Sequence, residues 1–264
     1  MKIVFLTGSH PRHAYMARSF ARTGHLAGLV IEHREAFVPE PPEGLRPETA
    51  ALFRRHFAGR DAAEARHFGP AVLPDVTRRN VELEELNTPA TVDFVNGLQP
   101  DLVFSYGVHK LTAQTLAGLR APLKWNIHGG LSPWYRGVIT HFWPSYFLEP
   151  QMTGMTVHEL TQDIDGGSLV HQSAADLVPG DGIHDLACRA VSSLGEELTQ
   201  LVDAVKRNPQ LGTQRQTTTG RIWRGSDWRP EHLHPVYDLH DNRIVDRYLE
   251  GAFERKAPKL FRQF

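Results

Sequence analysis

Asn126 and His128 stand two residues apart in the run K-W-N-I-H-G-G, a short apolar segment that ends on a glycine turn. Side chains two apart share one face of a strand, so a carboxamide and an imidazole should emerge together from this strand end. Further on, the strand-like run Met155 to Leu160 breaks into a polar loop carrying Asp163 and Asp165, which closes on Gly166-Gly167. An amide N–H aimed at a carbonyl oxygen that is gaining charge stabilises it, and loss of one such donor costs about 10²–10³ in turnover. An imidazole titrates near neutrality and can face that oxygen or move a proton. A neighbouring carboxylate would fix the ring and favour its charged form. Amide, imidazole and carboxylate on strand ends and loops are the components of acyl transfer.

The set resembles a known family. N-x-H at 126–128, L-x-P-x-Y-R-G at 131–137 and D-x-G at 165–167 are similar to the 10-formyltetrahydrofolate-dependent formyltransferases, which act on glycinamide ribonucleotide, methionyl-tRNA and amino sugars. The match is best from about residue 80 to 175, extends back to the start and fades after about 205. It implies a Rossmann-like α/β formyltransferase fold and 10-formyltetrahydrofolate as co-substrate. Asn126, His128 and Asp165 would be catalytic; Asp163 competes with Asp165, and alignment of D-I-D-G-G with D-x-G favours Asp165. Tyr106, Gly107, Val108, Lys110, Leu111, Thr161 and Asp163 would contact the folate. Arg136 would order the loop after the histidine or meet an acidic group. One departure bears on the acceptor: where the family usually has Pro-Ser after the histidine, this chain has Gly129-Gly130.

Those glycines let backbone pass close to a substrate. Ser9 and Arg12 lie in a turn where helix N-terminal amides could take an acceptor phosphate, though G-S-H-P-R-H is not a dinucleotide fingerprint. Glu32, which could contact a ribose, is discounted. The favoured acceptor is a primary amine on an amino-sugar nucleotide, with an aminoacyl or other small-molecule amine next. Two readings from other classes are a metal-dependent hydrolase and a non-catalytic nucleotide-binding module. His10-x-x-His13 and His232-x-His234 have ligand-like spacing but lack accompanying Glu or Cys, so no metal is expected. Related sugar enzymes imply a homodimer, yet no self-complementary patch is visible.

The 264 residues suit one medium domain with a small appendage. A formal net charge of −1 gives no electrostatic reason to expect nucleic acid or an anionic membrane as partner. One cysteine, Cys188, excludes an intramolecular disulfide, and no run approaches the length of a membrane span, so a cytoplasmic protein is expected.

The elements that must position these groups read as follows. Residues 2–7, a helix from about His13 to Arg22, and 25–31 form a β-α-β opening, which predicts a mostly parallel sheet covered by helices. Pro47 to about His67 is a charged helix in a long excursion, 35–79, expected over the site or at an interface. Asn80–Leu86 reads as a strand, Pro89–Leu98 as a helix, and Leu102–Tyr106 as a central strand. Ile183–Val205 carries apolar residues at helical spacing and faces the core. Residues 1–208 form the expected catalytic domain. Gln214–Gly220 reads as a linker within 209–264, a small C-terminal subdomain that packs on the main one or completes the acceptor site.

Overall fold

The computed structural model describes residues 1–33, 38–217, 220–254 and 256–264. A seven-stranded sheet organises it. The strands are β1 (Ile3–Thr7), β2 (Leu26–Glu32), β3 (Thr77–Val81), β4 (Leu102–Tyr106), β5 (Leu123–His128), β7 (Gly154–Glu159) and β8 (Leu169–Ala174), in spatial order β3-β2-β1-β4-β5-β7-β8. The first five run parallel, and β7 and β8 add antiparallel. This is the expected mixed α/β, mostly parallel architecture. β1 and β4 are buried at every position, as expected for strands covered on both faces.

Chain order reverses beside β1: β2 and β3 lie on one side, β4 and β5 on the other. A crevice at the carboxyl ends of β1 and β4 follows from that topology, and such a switch point is where open α/β sheets hold ligands. Helix α1 (Pro11–Arg22) starts at its mouth. Helix α7 (Ile183–Arg207) buries one long apolar stripe, including Leu186, Val191, Leu194, Leu198 and Leu201, against the sheet and α1.

Helix α2 (Pro47–Phe68), the helix of the long excursion, packs on α7 and α1 and forms a wall of the crevice. Part of that excursion, residues 34–37, lies outside the described residues, as do 218–219 of the polar linker. One expectation is corrected. The segment read as a strand over Asn80–Leu86 divides into the end of β3 and a helical turn, α3 (Leu83–Leu86). Val81 and Leu83 alternate like a strand, but Leu86 rather than Leu83 enters the core, and the Glu85 carboxylate accepts the Glu82 N–H at 3.0 Å to start the turn. Helix α4 (Pro89–Gly97) follows, with the short helices α5 (Ala113–Gly118) and α6 (Trp143–Tyr146) further along the chain.

The last segment joins the body through shared packing. Trp223, Leu233, Val236, Tyr237 and Ile244 form one apolar cluster with Leu52 and Phe53 of α2 and with Tyr135, Phe142 and Trp143. Trp143 and Trp223 stack at 4.1 Å. Strand β9 (Arg221–Trp223) pairs with β6 (Tyr135–Gly137). Cys188 is buried in the main core, and burial pushes its thiol pKa up. No helix among the described residues is long and apolar enough to cross a membrane.

Candidate active site

Asn126 and His128 lie on one face of β5 near its carboxyl end. Antiparallel pairing sets Asn126 opposite His158, and His128 opposite Thr156, on β7. These two strands are the fixed frame of the site. The Asn126 Oδ1 accepts from Ser105 Oγ on β4 at 2.7 Å, and its Nδ2 lies 3.1 Å from His158 Nε2.

The His128 Nε2 sits 2.7 Å from the Tyr135 carbonyl. A carbonyl only accepts, so Nε2 carries a hydrogen, and Nδ1 is left facing Asp165 Oδ2 at 3.3 Å. Burial pushes the His128 pKa below the ordinary imidazole value, against the opposing pull of Asp165. A neutral ring therefore presents a lone pair at Nδ1, beside a carboxylate that would hold an arriving proton. The glycine after the turn makes this possible: a Cβ on Gly130 would stand 2.6 Å from His128 Nε2 and 2.5 Å from the Tyr135 oxygen. The turn itself is pinned from β7, where Thr156 Oγ1 donates to the Gly130 carbonyl and accepts the Ser132 N–H.

Asp165 adopts a left-handed backbone, φ +46°, which aims its carboxylate inward. Its Oδ2 accepts the Gly137 N–H at 2.8 Å, and Oδ1 lies 3.4 Å from His158 Nε2. The Gln216 side chain holds the loop from behind by donating to the Asp165 and Gly167 carbonyls. Burial alone would raise the Asp165 carboxyl; His128, His158 and the Gly137 N–H outweigh it and hold it well below the usual carboxylate range. Asp163 is exposed on the same loop and outside the cavity lining, its N–H bonded to Thr161 Oγ1.

Asn126, His128 and Asp165 thus line one cavity of about 590 Å³. Tyr106, Gly107, Val108, Gly129 and Arg12 line it as well. At Gly107, φ is +70° and the His13 ring occupies the space a Cβ would need. Burial pushes the Tyr106 hydroxyl up to about 12. Arg12 is turned onto Glu64 of α2, with Nη1 to Oε1 at 2.6 Å. Gly130 and Leu111 are buried outside the cavity, Arg136 is buried on β6, and Lys110, Thr161 and Asp163 are exposed. Ser9 lies in the turn after β1, outside the lining.

Several contributors escaped the sequence reading. His56 of α2 and His184 of α7 face each other at 4.4 Å, and the Tyr237 hydroxyl contacts both. Burial, followed by the neighbouring positive groups, holds His56 down to about 2 and His184 to about 4, so both are neutral polar walls. Trp228, Phe57 and Phe142 add an aromatic side. Glu32, discounted as a ribose ligand, is fully buried and grips the loop after β4, accepting the His109 N–H at 2.8 Å and contacting its Nδ1 at 2.7 Å. Of the histidines with ligand-like spacing, His13 and His232 each accept at Nδ1 the N–H that opens their own turn.

A model of the formyl transferase family matches residues 45–202. The fold is shared with phosphoribosylglycinamide formyltransferase from Anaplasma phagocytophilum, at 16% identity and TM-score 0.55, covering 85% of this chain and 97% of that one. It is also shared with a sugar N-formyltransferase from a Shewanella species, at 15% identity and TM-score 0.53, covering 93% and 88%. A third is WlaRD, a sugar 3N-formyltransferase solved in the presence of dTDP and 5-N-formyl-THF, at 15% identity and TM-score 0.52, covering 87% and 72%. With the family model spanning more than half its length, the chain belongs to the formyl transferase family.

Proposed function

We propose that this enzyme transfers a formyl group from 10-formyltetrahydrofolate to the primary amine of a small molecule, with an amino-sugar nucleotide as the favoured acceptor class. The observation that carries this reading is the convergence of Asn126, His128 and Asp165 on one cavity at the switch point of the sheet. Two features support this donor: the cavity borders the Gly107–Val108 main chain, and Glu32 clamps the loop beyond it. When bound, the folate supplies an activated formyl group on nitrogen.

The chain's own residues do the rest. The strand-held Asn126 amide offers an N–H to the formyl oxygen as it gains negative charge. The His128–Asp165 pair takes one proton from the attacking amine at His128 Nδ1 and returns one to the departing nitrogen, so protons balance over the cycle. The walls of α2, α7 and the last segment hold the acceptor in place and exclude water.

Two observations favour an amino sugar. The cavity lining combines aromatic faces (Phe57, Phe142, Trp228) with neutral imidazoles (His56, His184), a surface suited to a ring bearing hydroxyls. Two of the structural neighbours carry sugar formyltransferase names. The near-zero net charge argues against tRNA, which usually demands a basic face. The test is to incubate the protein with 10-formyltetrahydrofolate and a panel of amino-sugar nucleotides, glycinamide ribonucleotide and amino acids, following tetrahydrofolate release. Turnover is expected with a sugar nucleotide and a loss of about 10²–10³ in Asn126→Ala. Turnover with none of the amines overturns the reading, and turnover confined to another amine overturns the acceptor class.

A further inference from the structure

Asn126 can serve the proposed reaction only if an N–H, and not its carbonyl, faces the substrate oxygen. The geometry points to His158 as the residue that decides this, and we propose it as a positioning residue for Asn126. The kinetic consequence rests on the formyl-transfer reading; the hydrogen-bond chemistry does not.

An amide has nearly the same shape with its oxygen and nitrogen exchanged, so its orientation is set by its partners. Ser105 Oγ, 2.7 Å from Asn126 Oδ1, does not decide it, because a hydroxyl both donates and accepts. His158 does. Its Nδ1 lies 2.8 Å from the Glu159 carbonyl. That oxygen only accepts, so Nδ1 carries the hydrogen, and in the neutral ring Nε2 holds a lone pair. Nε2 sits 3.1 Å from the Asn126 amide and can only accept from it, so the NH₂ end must face His158. Ser105 then donates to Oδ1. One Asn126 N–H is used on His158, and the second is left for the cavity that Asn126 lines.

The order of control therefore runs from a main-chain carbonyl to an imidazole, then to an amide and finally to the substrate. Two strands hold it: Asn126 and His158 are direct cross-strand partners, and His158 is buried. Asp165 Oδ1, 3.4 Å from Nε2, is the competing partner. A hydrogen at Nε2 would go to that carboxylate and remove the acceptor that holds the amide in place.

Two measurements test this. In protein labelled with ¹⁵N-histidine at neutral pH, long-range ¹H–¹⁵N correlation should find His158 as the neutral Nδ1–H tautomer, its signals assigned by their loss in His158→Gln. An Nε2–H tautomer or an imidazolium overturns the proposal, whatever the enzyme's substrate. In the formyl-transfer assay, His158→Phe keeps a ring but no acceptor and should lower kcat by about 10–10², with KM for the folate within about twofold. His158→Gln offers a carbonyl at similar reach and should recover at least about threefold of that loss. A Phe variant with kcat near wild type, or a Gln variant no better than Phe, overturns it. If wild type turns over no amine at all, the formyl-transfer reading fails, and the tautomer measurement still decides the hydrogen-bond assignment.

Discussion

Asp165→Asn is the substitution that best separates chemistry from folding at this site. Asparagine tolerates the left-handed φ of +46° and still offers Oδ1 to the Gly137 N–H, so the backbone and its 2.8 Å hydrogen bond are retained. The substitution removes the negative charge that faces His128 at 3.3 Å and His158 at 3.4 Å, distances longer than a strong charge-assisted bond. Removing it should cost about 1 kcal/mol, which lowers the thermal midpoint by about 2–4 °C for a chain of this size. The chemical effect is much larger. Without the carboxylate, burial acts on His128 with only the Tyr135 carbonyl against it, and a proton on Nδ1 meets an amide in place of an anion. Positioned acid–base groups contribute about 10²–10⁴, so kcat should fall within that range. Single-turnover tetrahydrofolate release together with differential scanning calorimetry reads both quantities. A variant within about fivefold of wild-type kcat, in an assay where wild type is active, refutes the reasoning, because Asp165 would then neither hold a proton nor fix the ring.

Glu32→Ala should raise KM for the folate several-fold with a smaller change in kcat, since the buried carboxylate shapes the loop at His109 without reaching the cavity; steady-state kinetics with varied folate checks it. Arg12→Gln leaves the Glu64 carboxylate buried without its guanidinium and should cost about 3 kcal/mol, or a midpoint about 6–12 °C lower by calorimetry. Asp165, Asp185 and Glu197 all sit below ordinary carboxylate values: burial opposes the shift in each, and His128 with His158, Arg66 with His67, and His171 with Arg262 outweigh it. Near pH 4 the unfolded chain therefore binds more protons than the folded one. The stability these groups contribute is complete above about pH 5 and lost as pH falls further, and urea titrations at stepped pH should show the midpoint falling there. A midpoint independent of pH between about 5 and 3 would show that these carboxylates are not paired in solution.

Much of the scaffold was legible in the sequence because periodicity reports which face of an element is buried. The β-α-β opening, the apolar run of β4 and the stripe along α7 all follow from spacing, and alternation alone put Asn126 and His128 on one side of β5. The choice between Asp163 and Asp165 came from likeness to a family; in the structure the left-handed turn at Asp165, held by Gly137 and Gln216, carries that carboxylate inward. The strand expected over Asn80–Leu86 ends at Val81 because short apolar runs fit either period, and the Glu82–Glu85 contact that starts the turn is a local detail that spacing does not encode.

Alternation in T-V-H-E likewise puts Thr156 and His158 on one face of β7, but nothing in it names their partners. What the sequence determined by itself was a set of faces and a few residue types able to do acyl chemistry. The tertiary structure alone decided which faces meet: the β5–β7 register that sets His158 against Asn126, the reversal of strand order that opens the crevice, and α2 as its wall. A side chain's direction follows from its own backbone, whereas its neighbours depend on pairings between distant segments, and those are fixed only when the whole sheet has formed.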